Sequence, residues 1–243
     1  MQAVLKNKVV VLTGAGGGIG SAIAEKLSRY QMKIVLAGGN NIEKLQKIRA
    51  IVEQHTSCMM MPGDITAPDF PEKCIEQVSA QWGGIDVLIN NAGMTLNAPV
   101  EDVTPEIFDK IMNINVKAPF FLTQKALKFL RKSSAATIIN ICSVVAHSGY
   151  PAQSAYSASK HALLGWTKSL AAECYQDNIR VHAISPGGVY TDMVKISRPD
   201  LTADGMIMPE EIADVVEFLL TCRGNAIIDE ILLHRANKTP FLV

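Results

Sequence analysis

Thr13-Gly14-Ala15-Gly16-Gly17-Gly18-Ile19-Gly20 places five glycines within eight residues near the start of the chain. It follows a short apolar run at 9–12 and leads into a helical pattern at 19–30. Glycines between a first strand and a first helix permit a tight turn and let backbone approach a pyrophosphate, whose charge the helix N-terminus attracts. The spacing departs from Gly-x-Gly-x-x-Gly, because Gly14, Gly18 and Gly20 stand in Thr-Gly-x-x-x-Gly-x-Gly.

Outward from this turn, nearly continuous apolar runs at 33–37, 57–61, 87–90, 137–141, 180–184 and 226–232 alternate with helical stretches at 42–54, 71–81, 105–131, 154–175 and 209–220. Runs without alternation suit strands covered on both faces. Their repetition with helices predicts an α/β fold, a doubly wound parallel sheet of about seven strands with helices on both faces. We expect one domain over 1–243, with no repeat or linker. The segment 190–208 has no strand pattern and reads as a small substrate lid, since connections over a sheet's carboxyl edge often close on ligands.

Composition narrows the function. Of 243 residues, 48% are apolar and 19% charged, which is globular rather than disordered. Basic and acidic residues balance at 23 each, with no basic run, so no nucleic-acid partner is expected. No stretch approaches membrane-spanning length and 9–12 is too short for a signal segment, so a cytoplasmic location is expected. The five cysteines (Cys58, Cys74, Cys142, Cys174, Cys222) are widely spaced and read as reduced thiols. His55-Thr-Ser-Cys58 lacks partners at metal-site spacing, and no metal is expected. Met59-Met60-Met61 reads as buried strand.

Tyr156 and Lys160 stand one helical turn apart in Tyr-Ser-Ala-Ser-Lys and share a face. A phenol ionises near pH 10, and a neighbouring cation favours the phenolate. Bringing ionisation down to neutrality takes roughly 4 kcal/mol, which a close ammonium in a dehydrated site, helped by an oxidised nicotinamide ring, can supply. The pair would then give and take a proton near neutral pH.

With these motifs the sequence resembles the short-chain dehydrogenase/reductase family over nearly its whole length. The glycine turn, Asn90-Asn91-Ala92-Gly93 after the fourth strand, Asn140-Ile141-Cys142-Ser143 at the end of the fifth, Tyr156 with Lys160, and Pro186-Gly187-Gly188-Val189-Tyr190-Thr191 after the sixth carry the resemblance in the right order. It implies a Rossmann-type fold that binds NAD(P) and interconverts an alcohol and a carbonyl by hydride transfer. It makes Tyr156 the acid/base, Lys160 its partner and a ligand of the nicotinamide ribose, and Ser143 the hydrogen-bond donor to the substrate oxygen. Ser148 and Ser154 are competitors off the strand end. The family's fourth catalytic residue, an asparagine thought to anchor a proton relay, falls on Asn113 or Asn115. Phe120 and Thr123 fit the family register and select Asn115.

The cofactor residues implied are Gly14, Gly18, Ile19, Gly20, Gly39, Asn40, Asp64, Ile65, Asn91, Ala92, Gly93, Tyr156, Lys160, Pro186, Gly187, Val189 and Thr191. Asp64 would bind the adenine amino group, or it or Thr66 would cap a helix. Ile19 would lie beneath the cofactor. The family also implies a homodimer or homotetramer paired through the helices at 105–131 and 154–175. Phe120, Phe121, Leu163, Leu164 and Trp166 suggest a second apolar face there.

Two departures stand out. The second strand ends Gly38-Gly39-Asn40-Asn41, with neither the aspartate usual for NAD nor the arginine usual for NADP. Without an acidic group to repel a 2′-phosphate, and with glycine amides and asparagine side chains as donors, a slight preference for NADP(H) is expected; Lys44 and Lys47 read as solvent-facing. The last strand lacks the Asp-Gly-Gly ending common among 3-oxoacyl-thioester reductases, which weighs against fatty-acid synthesis. Met94, Val144, Val145, Tyr150 and Met193 are candidate walls of an apolar substrate pocket. Lys195 and Arg198 read as solvated, His147 as a possible substrate contact, and His55, His161, His182 and His234 as surface or core residues. The competing function is a non-catalytic dinucleotide-binding regulatory or structural protein, which the presence of all four catalytic residues disfavours.

Overall fold

The computed structural model describes residues 5–197 and 202–239. Seven strands form one sheet: β1 Val9–Thr13, β2 Lys33–Ala37, β3 Cys58–Met61, β4 Val87–Asn90, β5 Thr137–Ile141, β6 Arg180–Pro186 and β7 Glu230–Leu233. Their order is β3-β2-β1-β4-β5-β6-β7, and every neighbouring pair is parallel. The winding reverses between β1 and β4, which opens a crevice at the carboxyl ends of these two strands.

Successive side chains of a strand point to opposite faces, and both faces are covered. Val10 and Leu12 of β1 pack with the helices α1 Gly18–Ser28, α2 Ile42–Val52 and α8 Pro209–Thr221, through Ile23, Leu27, Ile48 and Val216. Val9 and Val11 face the opposite cluster, built on α3 Phe70–Trp82, α5 Ala118–Leu130 and α6 Ser154–Cys174, through Ile75, Val78, Leu122 and Leu170. Two-sided burial is why the strands lack a period-two pattern in the sequence. The remaining helices, α4 Pro105–Met112 and α7 Asp192–Ser197, lie respectively before α5 and after β6.

Three expectations need correction. The helix expected over 105–131 is interrupted by a π-helical turn, Asn113–Lys117, between α4 and α5. Pro119 has no N–H to give the carbonyl four residues back, and the Ala118 N–H instead bonds the Asn113 carbonyl, five back. The strand expected over 226–232 is shorter and later. His182 Nδ1 takes the Ile228 carbonyl at 2.6 Å and the Arg180 guanidinium bonds the Gly224 carbonyl, so side chains hold the lead-in that backbone pairing would otherwise zip. Leu163 and Leu164 do not face outward, being only 2% and 4% exposed against Cys142, Ala146 and Ala183. Phe120 and Phe121 are each 40% exposed, and Phe120 lies 5.4 Å from the Trp166 ring.

Candidate active site

The glycine turn closes the crevice floor. Gly14 adopts a φ of +65°, and a Cβ there would lie 2.8 Å from the Ala92 backbone. A Cβ on Gly20 would lie 2.2 Å from the Gly14 carbonyl oxygen. These contacts admit only hydrogen, so backbone rather than side chain lines the turn. The Asn91 amide stitches the turn to β4: its Nδ2 donates to the Thr13 and Gly14 carbonyls at 3.0 and 3.2 Å, and the Asn91 N–H donates to Thr13 Oγ1. Thr13 was not singled out from the sequence. Its buried hydroxyl at a strand end was the available signal.

Two cavities sharing Ile19, Asn91, Gly93 and Thr191 form one groove along this edge. The outer, about 460 Å³, runs from the glycine turn past Gly39, Asn40, Asp64 and Ile65. The inner, about 630 Å³, holds Ser143, Tyr156, Lys160, Pro186, Gly187 and Val189. Every cofactor residue implied by the resemblance lines one of the two. A glycine-walled turn at a helix N-terminus, opening on an elongated groove, fits a dinucleotide.

Lys160 is 5% exposed, and its ammonium donates to the Ile141 carbonyl at 2.8 Å. It stands 6.0 Å from the Tyr156 ring centroid. Part of the Tyr156 ring faces the inner cavity, yet burial still pushes the phenol up to about 12, and hydrogen bonding with Ser143 pulls it only part of the way back. Burial also lowers Lys160. The lowering expected of the ammonium together with an oxidised nicotinamide ring is thus not produced by the protein's own groups. Among the protein's own groups desolvation outweighs the Ser143 hydrogen bond, which keeps the Tyr156 phenol protonated. Ser143 Oγ donates to the Pro186 carbonyl and accepts from the Val145 N–H, each at a long 3.4 Å, and can readily exchange these partners.

Asn115 sits in the π-helical turn, 1% exposed. Its Oδ1 accepts from Met94 N–H, and its Nδ2 donates to the Met94 carbonyl and Ser159 Oγ, each at 2.9 Å. A Cβ on Gly93 would lie 3.1 Å from Asn115 Oδ1 and 3.7 Å from Lys160 Nζ, so the glycine leaves room for both. Asn113 instead lines a third cavity with Glu106 and Asp109, which adjoins the outer one at Asn40, Asp64 and Ile114.

Other placements differ from expectation. Asp64 caps no helix: its Oδ1 accepts from the Thr66 N–H and hydroxyl at 2.9 and 2.7 Å, which holds its carboxyl below the usual range. Asn41 Oδ1 is committed to capping α2 through the Lys44 N–H, and the Gly38 N–H is spent on Met61. Lys44 lines the outer cavity, paired with Asp192 at 2.7 Å. His147 turns away to Glu230 at 2.7 Å, whereas His234 lines the inner cavity. Met94, Val144, Val145 and Tyr150 are in the wall as expected, joined by Met206 and by Arg235 and Lys238. The side chain of Met193, and Arg198, lie outside the described residues. Among the described residues no acid, histidine or cysteine cluster could hold a metal, and no helix is long and apolar enough to cross a membrane.

A doubly wound sheet with this groove at its switch point and a Ser-Tyr-Lys cluster in its floor defines a dinucleotide-dependent oxidoreductase architecture. The short chain dehydrogenase model matches residues 8–202, and the protein belongs to that family. It is similar to an oxidoreductase of Staphylococcus aureus, 34% identical over 96% of this chain and 99% of the relative. A 3α-hydroxysteroid dehydrogenase of Mediterraneibacter gnavus is 33% identical over 96% of this chain and 97% of its own. Among solved structures, a metagenomic short-chain oxidoreductase in complex with NADP superposes with a TM-score of 0.83 at 31% identity, covering 97% of this chain and all of the other.

Proposed function

We propose that this protein is an NADP(H)-dependent alcohol dehydrogenase or carbonyl reductase, with Tyr156 as acid/base. The observation that carries the reading is the convergence of Ser143, Tyr156 and Lys160 on a cavity continuous with the glycine groove. Residues 190–208, where described, border that cavity through Thr191, Val194 and Met206, which supports a lid over one dinucleotide-binding domain. Bound in the groove, the dinucleotide supplies or accepts the hydride. The chain's own part is to orient the substrate oxygen between Ser143 Oγ and Tyr156 Oη, where charge develops in the transition state. The neutral Tyr156 phenol gives its proton to that oxygen in reduction and recovers it in oxidation. Lys160 stands behind it beside Gly93, placed to contact the ribose and to favour the phenolate when Tyr156 ionises. Asn115 holds the Met94 backbone and the Ser159 turn in register.

The non-catalytic alternative is not favoured, since all four residues are present and three share the cavity. For the cofactor, Lys44 at the outer cavity and the free amide donors of Asn40 support NADP(H), as does the NADP found in the metagenomic relative. Assaying alcohols and carbonyls with both cofactors, including hydroxysteroids after the relative's name, tests the reading. Carbonyl-dependent oxidation of NADPH, at least threefold faster than NADH at limiting cofactor, is the expected result; a tenfold advantage for NADH, about 1.4 kcal/mol, reverses the cofactor reading.

The exposed Phe120–Phe121 pair beside Trp166 supports a homodimer or homotetramer through α5 and α6. Light scattering should give at least twice the 26.3 kDa of one chain, and F120D should shift the mass towards that of a monomer. A wild-type monomer at micromolar concentration contradicts the assembly.

A further inference from the structure

The inner cavity has a charge asymmetry that the hydride-transfer reading does not use. Among its described wall residues there is no aspartate or glutamate, while Lys160, Arg235 and Lys238 are cationic. Lys160 is buried at the floor. The other two come from the segment after β7, which crosses to the mouth of the cavity.

That segment is held in place. The Gly187 N–H bonds the Leu233 carbonyl at 2.8 Å, and the Lys238 N–H bonds the Arg235 carbonyl at 3.0 Å, a turn that returns both cations to the same wall. A Cβ on Gly188 would lie 3.5 Å from Arg235 Cδ and 2.9 Å from Met206 Cε, so the bare glycine lets both side chains lie against the loop. Asn237 is seated more closely still on Gly205, which adopts a φ of +66°. Half-buried Arg235 gives one N–H to Met206 Sδ at 3.1 Å, and neither cation has a carboxylate partner among the described residues. A thioether is a weak acceptor. Arg235 thus lines a cavity whose charged wall groups are all positive, beside the apolar Val144, Val145 and Met206.

We infer that the substrate is a carbonyl or alcohol bearing a carboxylate, whose apolar body packs on Val144, Val145 and Met206 and whose anionic end is received by Arg235, with Lys238 adding charge at the rim. The inference rests on the hydride-transfer reading for where the carbonyl sits. Guanidinium accepts a carboxylate through two parallel hydrogen bonds, and a cavity walled by one sign of charge raises the local concentration of the opposite one.

The test compares benzoyl-substituted alkanoates, from acetate to valerate, each beside its methyl ester, as substrates of the full chain with NADPH. For the best chain length the acid should exceed its ester in kcat/KM by about tenfold or more. In R235M that acid-to-ester ratio should fall to about one, and K238M should reduce it by a smaller factor, about threefold. Sodium chloride should raise KM for the acid and not for the ester. Equal turnover of acid and ester in the wild type, or an R235M protein that loses both in proportion, overturns the inference and leaves hydride transfer standing. If no carbonyl is turned over, the same compounds are titrated into the NADPH-loaded protein by cofactor fluorescence. Tighter binding of acid than ester, lost in R235M, keeps the anion site and sinks the hydride-transfer reading. Binding without that difference sinks the anion site too.

Discussion

Tyr156→Phe is expected to reduce kcat by about a thousandfold or more, at the upper end of what a positioned proton donor contributes. The substitution removes one oxygen from a ring whose edge already faces the cavity, so the packing of α6 stays as it is. Ser143 keeps its bond to the Pro186 carbonyl. Cofactor affinity should stay within about threefold, and the melting temperature within a few degrees. Steady-state assays with a carbonyl substrate, alongside a fluorescence titration of NADPH, check both halves. A folded Y156F protein with near-wild-type turnover removes Tyr156 from proton transfer. The direction of pH dependence follows from the same residue. Because burial holds the phenol up, to about 12 on the protein's own groups, Tyr156 is protonated across the neutral range. Reduction, which needs the proton, should therefore stay flat between about pH 6 and 8 as far as this group is concerned.

Lys160→Ala should do broader damage. Its ammonium is buried, bonds the Ile141 carbonyl, and lies beside Gly93 and Asn115 at the junction of the two cavities. Removing it leaves that carbonyl without its donor, opens a void, and takes away the cation expected to support Tyr156 when it ionises. We expect kcat/KM to fall by about a hundredfold or more and NADPH to bind at least about tenfold more weakly, a loss of about 1.4 kcal/mol. Lys160→Met separates charge from volume. Methionine refills the space, so recovery of cofactor binding in K160M assigns the loss to packing, while persistence of both defects assigns it to the ammonium. An unchanged NADPH dissociation constant in K160A removes the ribose contact from its role.

The sheet was legible because a strand buried on both faces must be apolar throughout. Val9–Thr13, Lys33–Ala37, Val87–Asn90 and Thr137–Ile141 all begin within the expected runs. Where the pattern misled, a non-local partner intervened. Arg180 and His182 capture carbonyls ahead of β7 and shorten it, and α6 buries Leu163 and Leu164 on a third cluster that no helical period distinguishes from an outward face. One helix was expected straight through Pro119, and the π-helical turn that carries Asn115 needed the backbone.

The succession of strands and helices, the glycine turn at the first crossover and the residues able to handle a proton were readable along the chain, because these depend on side-chain chemistry and short-range spacing. Tertiary structure alone decided which of them meet. It joined the glycine groove to the Ser143–Tyr156 cavity, buried Lys160 6.0 Å from the Tyr156 ring centroid, and placed Arg235 and Lys238 in the wall of that cavity. The two cations lie more than seventy residues along the chain from Tyr156. Only the parallel sheet, which brings the carboxyl ends of β5, β6 and β7 to one edge, puts them in the wall of one cavity with Tyr156.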